Sequence, residues 1–451
     1  MPRSSLRASA DARWLIPLFA LFFAKQILIL AIIGPFTGHD EVDHFFYIAR
    51  LADGDGLGVV GQVELPDAAV PYQDYVADFP YNAEVIQPPL YHGLLAPLYQ
   101  LVPGGTLARL YALRLVSVLL GVVAVWLVYL IARQAFPGDS FMRIGMPAFV
   151  ALQPQFSFEA AIVNHDILVI VLFSLVGYLV QRGIREGFSR RASLVIGLVI
   201  ATGLWTKVSF GLVLPMVGVG LLFAALDERR RDARWLGPIV SRVSLTMVLP
   251  VVLVLPWFVR SYRLYGDPTG AQRLREIPEY GEQARSYAEM LTSAVFWQGR
   301  LEDFWGNYGW RQVPFDPAMY QLIWMAWGAA LLGLMALVVR SVLGRRAGWP
   351  PMLNHYQART VTLWAVAVVS VMFGVLYVGT IQFTQSRFAF PAMPGFALLS
   401  LLGWAVWAPS RLRPFGLAVM VSLLIVMNLL VAIRFLVPYY YGPGGGALLL
   451  P

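Results

Sequence analysis

The run Trp14 to Phe36, WLIPLFALFFAKQILILAIIGPF, decides the class of fold, and Thr37-Gly38-His39-Asp40-Glu41-Val42-Asp43-His44 follows it directly. A helix that crosses a bilayer needs about 20 mostly apolar residues. Trp14–Phe36 meets that length. It is too long for the apolar stretch of a cleaved signal and lacks a small-residue cleavage site, so it reads as a retained anchor. The rest of the chain repeats the pattern. Of 451 residues, 58% are hydrophobic and only 13% charged. A soluble domain carries about 25% charged residues, so the chain reads as an all-α polytopic membrane protein in a single domain, 1–451.

Apolar segments fall near 14–35, 112–132, 144–162, 166–181, 192–207, 209–226, 243–260, 319–339, 360–379, 388–407 and 414–436. That predicts about eleven transmembrane helices. The third is interrupted by Gln153, Gln155 and Glu159, and the fifth and sixth share one run broken near Lys207. Basic residues set the orientation. With Arg3, Arg7 and Arg13 in the cytoplasm, the cytoplasmic segments hold twenty arginines, among them Arg182, Arg185, Arg190 and Arg191. The N-terminus is then cytoplasmic and the C-terminus outside. Two long loops, 36–110 and 261–318, face the outer side. The end of the chain, 439–451, is rich in glycine and reads as a flexible tail. The net charge of +8 is accounted for by these short arginine loops, so nucleic acid is not an expected partner. The absence of cysteine excludes disulfides, thiolate catalysis and Cys-ligated metals.

Carboxylates at a bilayer edge call for a reason. Ten acidic residues lie between Phe36 and Leu110, and Asp40 and Glu41 come at the exit of the first span. If helix begins there, His44 is one turn from Asp40 on the same face. A carboxylate at the mouth of a cavity can act as general base for a hydroxyl, or it can hold a cation. The run Phe45-Phe46-Tyr47-Ile48 suits a helix lying in the membrane interface. Gln87-Pro88-Pro89-Leu90-Tyr91-His92 stops any preceding helix. Leu90–Leu101 is too short to span and reads as a second interfacial helix.

Other ionisable groups sit at the same side. Asn164-His165-Asp166 joins the third and fourth spans, where Asp166 can cap a helix, face a cavity, or both. Thr206-Lys207 lies at the turn between the fifth and sixth. Intramembrane charge is costly and marks function by default, and lysine is a good point-charge partner for phosphate. Only Lys25 and Lys207 among the 34 basic residues are lysines; Lys25 is mid-span and calls for an internal polar partner. Arg387, in Gln382-Phe383-Thr384-Gln385-Ser386-Arg387, runs against the charge bias and can clamp a phosphate. Phe304-Trp305-Gly306-Asn307-Tyr308-Gly309-Trp310 offers aromatic faces for sugar stacking or for interface anchoring.

These residues together resemble the GT-C superfamily of integral-membrane glycosyltransferases, on the dolichyl-phosphate-mannose and aminoarabinose-transfer side, and closest to a bacterial branch of it. Asp40-Glu41 after the first span, Gln87-Pro88-Pro89-Leu90-Tyr91, Asn164-His165-Asp166, Thr206-Lys207 and Ser386-Arg387-Phe388 with Pro391 carry the resemblance. It implies a transmembrane bundle with interfacial helices in the first outer loop, in a bacterial cytoplasmic (inner) membrane. The donor would be a sugar on a polyprenyl phosphate, transferred on the outer face with inversion to an acceptor hydroxyl on a glycan, lipid or protein in cell-envelope assembly. Asp40 and Glu41 would be catalytic, with Asp40 as base. Lys207 and Arg387 would contact the donor phosphate. His44, Gln87, Tyr91, His165 and Asp166 would line the site. A divalent cation, if one is used, would draw on Asp40, Glu41, His44 and Asp166. The competing reading is a transporter or flippase of a polar lipid, which favours internal repeats and midplane charges; the sequence has no such repeat.

Overall fold

The computed structural model describes residues 3–66, 80–230, 235–309, 311–347 and 352–442. The described residues are mostly helical, with a two-residue antiparallel pair, Asn307–Tyr308 with Val313–Pro314, and an isolated bridge between Glu64 and Tyr81. Among the described residues, nine helices are long and apolar enough to cross a membrane. They include α1 (Arg3–Ile32), α4 (Thr106–Ala135) and α7 (Asp166–Glu186). The protein is a multi-pass membrane protein.

The count of eleven is not reached by helices of full length, and the reason is local. The predicted span 144–162 is two helices, α5 (Ser140–Leu152) and α6 (Pro154–Glu159). Pro154 has no N–H to continue the α5 ladder. The segment 192–207 is α8 (Arg190–Thr206), only 17 residues long, followed at Lys207 by a 3-10 turn, Val208–Val213. Both short segments still run between the same two ends as their neighbours. Arg143 at the head of α5 pairs with Asp11 at 2.8 Å, while Glu159 closing α6 meets His39 at 3.1 Å. Lys207 past α8 meets Asp166, the first residue of α7.

Backbone groups freed in the middle of a bundle must be satisfied internally. Here Lys25 donates to the Ala151 carbonyl at 2.5 Å and to Ser157 Oγ at 2.5 Å, and Asn428 donates to the Leu152 carbonyl at 2.7 Å. Gln26 donates to the Ser157 carbonyl at 2.9 Å, and Gln153 caps α6 by accepting from Phe156 N. The mid-span lysine and the polar residues that weaken the third segment are thus one device.

The first loop folds over the end of α4 as α2 (Glu41–Asp53) and α3 (Leu90–Leu101). Phe36, Val42, Phe45, Ile48, Tyr91, Leu95, Leu110 and Leu113 form a small core of their own beneath them. Arg114 of α4 anchors the junction. It donates to both oxygens of Glu41, at 2.8 and 2.6 Å, and to the carbonyls of Ile33 and Gly34, each at 2.8 Å. Those carbonyls close α1, which has no basic residue in its own last turn, so Arg114 supplies the cation a helix C-terminus favours.

Two expectations are corrected here. Phe304, Trp305 and Tyr308 are buried in the main core, with Phe304 against Trp327, Phe390 and Phe396; their faces are not offered to a sugar, and Trp310 lies outside the described residues. Of the tail, Tyr440 is fully buried and hydrogen-bonds Thr37 at 3.0 Å, while 443–451 lies outside the described residues.

Candidate active site

Asp40 stands where α1 has ended and α2 begins, with a left-handed backbone, φ 54°, ψ 13°. Asp and Asn tolerate that region better than most residues. Gly38 lets the chain reach it: a Cβ there would lie 2.7 Å from Ile162 Cγ2. The tight turn aims the Asp40 carboxylate into the bundle instead of out to water.

Three further charges converge on it. Arg387, from the 3-10 turn Ser386–Ala392, donates to Asp40 Oδ2 and approaches Asp166 Oδ2 at 3.9 Å. Lys207 Nζ lies 2.5 Å from Asp166 Oδ1. The set is two carboxylates and two cations brought from four distant stretches of chain. Burial alone would raise the Asp40 carboxyl, but the field and hydrogen bond of Arg387, with His39 and Lys207, outweigh it and hold the group below its ordinary value. Arg387 Nε and Nη1 have no hydrogen-bond partner, so the guanidinium has donors to spare.

A cavity of about 440 Å³ opens beside these charges. Asp40, Glu84, Gln87, Asp166 and Lys207 line its polar end. Val169, Phe173, Phe210, Leu212, Val371 and Phe373 are among the apolar residues that line it, with Ser209, Thr269, Tyr280, Tyr377 and Gln382 between them. The charged groups are therefore gathered in one part of a largely apolar groove.

The expected residues divide in this geometry. Asp40, Gln87, Asp166 and Lys207 share the cavity, with Arg387 directly behind Asp40. Glu41 does not join them; its oxygens are taken by Arg114 and the Val163 N–H, so it braces the turn. Capping of α7 falls to Asn164, which accepts from Ile167 N at 3.1 Å, leaving the Asp166 carboxylate for Lys207. The cation set Asp40, Glu41, His44 and Asp166 does not converge either: the two aspartates already have Arg387 and Lys207 as counter-charges, Glu41 is held by Arg114, and His44 faces His92. His44 turns instead toward His92, with Nδ1 and Nε2 3.0 Å apart, and His165 turns toward Glu84 at 3.3 Å. Burial pushes these three imidazoles well below their ordinary value. Burial, then Asp40, pushes Glu84 well above its own. Tyr91 packs edge-on behind His44 at 6.2 Å.

Glu84, Arg114 and Glu159 were not legible as site residues. Glu84 is one acid among many in its loop, and Arg114 looks like an ordinary interfacial arginine. Nothing in the sequence pairs either with its partner 40 or more residues away.

Comparison with known proteins falls in line with this architecture. Residues 87–257 match the family model described as dolichyl-phosphate-mannose-protein mannosyltransferase, a stretch under half of the chain. The apo crystal structure of the Archaeoglobus fulgidus oligosaccharyltransferase superposes on 94% of this chain and 55% of its own, with a TM-score of 0.52 and 12% identity. The same protein tethered to an acceptor peptide containing the NVT sequon gives 0.51 and 12%, over 94% of this chain and 54% of its own. The present chain thus spans about half the length of that protein. ArnT from Cupriavidus metallidurans bound to undecaprenyl phosphate covers 97% of this chain and 76% of its own at 15% identity and a TM-score of 0.49. No curated protein sequence matches. The fold is GT-C-like, a bundle of membrane helices with a polar site at one end. In that fold, and over residues 87–257 in sequence, the chain resembles the GT-C superfamily of integral-membrane glycosyltransferases.

Proposed function

We propose that the protein is a membrane glycosyltransferase that moves a sugar from a polyprenyl-phosphate donor to an acceptor hydroxyl. The observation that carries this reading is the cavity in which Asp40, Asp166 and Lys207 end an apolar groove. A polyprenyl-phosphate sugar has the matching order of parts: an apolar tail, an anionic link and a polar ring. The family matched over residues 87–257 is described by a dolichyl-phosphate-mannose substrate, a molecule of this build.

Lys207, on the cavity wall, meets the donor phosphate. Arg387, one layer behind, fixes the charge of Asp40 and adds its field to the phosphate subsite. The acceptor O–H gives its proton to Asp40. The oxygen forms the new bond to the anomeric carbon from the opposite face, the carbon–phosphate-oxygen bond breaks, and its electron pair leaves on the polyprenyl phosphate. Phosphate is a good leaving group, so one base and a cationic clamp suffice. Asp166 holds Lys207 in place between turnovers. The reaction faces the extracytoplasmic side of a bacterial cytoplasmic membrane if the arginine-rich loops are cytoplasmic.

Purified protein in nanodiscs, given a panel of radiolabelled polyprenyl-phosphate sugars, tests the reading. Wild type should release or transfer label, and Asp40→Asn should lose about 100-fold or more, in keeping with general-base contributions. Asparagine also accepts the left-handed backbone, so the variant removes charge without breaking the turn. Equal turnover in the two proteins would remove Asp40 from the chemistry.

A further inference from the structure

The buried cluster of His44, Glu84, His92 and His165 has no part in that reaction scheme. Four segments supply it: the first turn of α2, the 3-10 turn Glu84–Ile86, α3, and the residue before α7. One ligand-type atom from each lies within 4.8 Å of all the others. His44 Nδ1 is 3.0 Å from His92 Nε2 and 3.8 Å from Glu84 Oε2, and Glu84 Oε2 is 3.3 Å from His165 Nδ1. Around a tetrahedral ion with bonds of about 2.0–2.1 Å, neighbouring ligand atoms stand about 3.3 Å apart. These three spacings bracket that value, and the others stay within 4.8 Å.

Hydrogen bonding alone leaves the cluster unsatisfied. The three histidines are at most 1% exposed. Glu84 Oε2 and His165 Nδ1 face one another yet neither has a hydrogen bond. Buried polar groups are seldom left so. The surroundings are those of a metal shell. His165 Nε2 lies 3.4 Å from Asp166 Oδ1, the carboxylate–histidine arrangement that orients metal-bound imidazoles. Tyr47 covers the His92 ring at 4.3 Å between centroids, and Tyr91 covers His44.

We propose that His44, Glu84, His92 and His165 bind a divalent transition metal, zinc by preference, in a closed four-ligand site. Three imidazoles and a carboxylate suit zinc in tetrahedral geometry. With every position filled by protein, the ion acts structurally: it clasps the two interfacial helices to the start of α7, and so fixes Asp166 and the wall of the cavity that Glu84 shares. The inference stands without the transfer reaction, because it rests on a different set of side chains.

The test is metal analysis of detergent-purified full-length protein, with and without zinc during growth, in wild type, His92→Ala and Glu84→Gln. Expected are one zinc per chain in wild type, absorption-edge spectra with only nitrogen and oxygen ligands at about 2.0–2.1 Å, and a rise in melting temperature on adding zinc to chelator-stripped protein. Both variants should lose the metal and the zinc-dependent rise. Glu84→Gln keeps the side-chain volume, so a monodisperse but metal-free Glu84→Gln separates ligand loss from misfolding. Metal retained by both variants, or stripped wild type that neither takes up zinc nor gains stability from it, would overturn the proposal. Transfer activity enters none of these readouts, so a failure here is distinct from a failure of the glycosyltransferase reading.

Discussion

At Asp40, burial and the neighbouring cations act in opposite directions, and the cations win. A carboxyl whose folded value lies below its unfolded one contributes stability above the unfolded value, and that contribution is lost as pH falls through the folded value. The kcat/KM profile reports the free enzyme, so its acidic limb should fall below pH about 4, the ordinary aspartate value. Arg387→Gln removes the largest of the lowering influences and should move that limb upward, read as kcat/KM against pH in nanodiscs. A limb that stays in place would mean that Arg387 does not set the charge of Asp40. Glu41 shows the opposite use of a carboxylate. Adjacent in sequence to Asp40, it is fully buried against Arg114, and breaking such a pair by removing one partner costs about 3–5 kcal/mol.

The broken α5–α6 segment shows how one element makes room for a site. By stopping at Gln153-Pro154, the chain frees carbonyls that Lys25 and Asn428 take up, and α6 can then carry Glu159 to His39. Lys25→Met should lower stability by about 1–3 kcal/mol, the cost of leaving buried polar groups unpaired. It should leave transfer by the folded fraction unchanged, because Lys25 lies away from the cavity. Thermal unfolding alongside specific activity checks both halves. A loss of specific activity with normal stability would put Lys25 in the chemistry instead. A lysine used for transport would be expected near the midplane with a changeable partner; here it is held by the Ala151 carbonyl and the Ser157 hydroxyl, and the remaining site charges gather at one end of the bundle.

Across the whole molecule, the cavity joins helices from both halves of the chain. Val169 and Phe173 come from α7, while Val371, Phe373 and Gly374 come from the helix His355–Gly379. A Cβ at Gly374 would lie 2.3 Å from Leu212 Cδ1, so Gly374→Val should push that flexible side chain into the groove. The expected outcome is a KM raised several-fold for long-chain donors with kcat nearly kept, since binding along the apolar tail is uniform between ground and transition states. Donors of different chain length measure it. An equal effect on a short-chain donor would count against the groove as the tail site.

Much of this organisation was legible in the chain itself. A bilayer demands long apolar helices, so hydropathy located the nine spans among the described residues, while adding 144–162 and 192–207, and the turns beside them marked Asp40, Asp166, Lys207 and Arg387. The helix Leu90–Leu101 was legible from its length and its preceding prolines. What hydropathy does not carry is direction around a helix or the partner of a charge. Asp40 and Glu41 are equivalent in sequence, and only the left-handed turn separates the one facing the cavity from the one facing Arg114. Likewise His44, Glu84, His92 and His165 are scattered over some 120 positions in four segments, and their convergence depends on how α2 and α3 pack over α4 and α7. Composition and periodicity report what each segment must bury; which charges meet is decided when the segments pack, because the Coulombic and hydrogen-bond partners come from residues far apart in the chain.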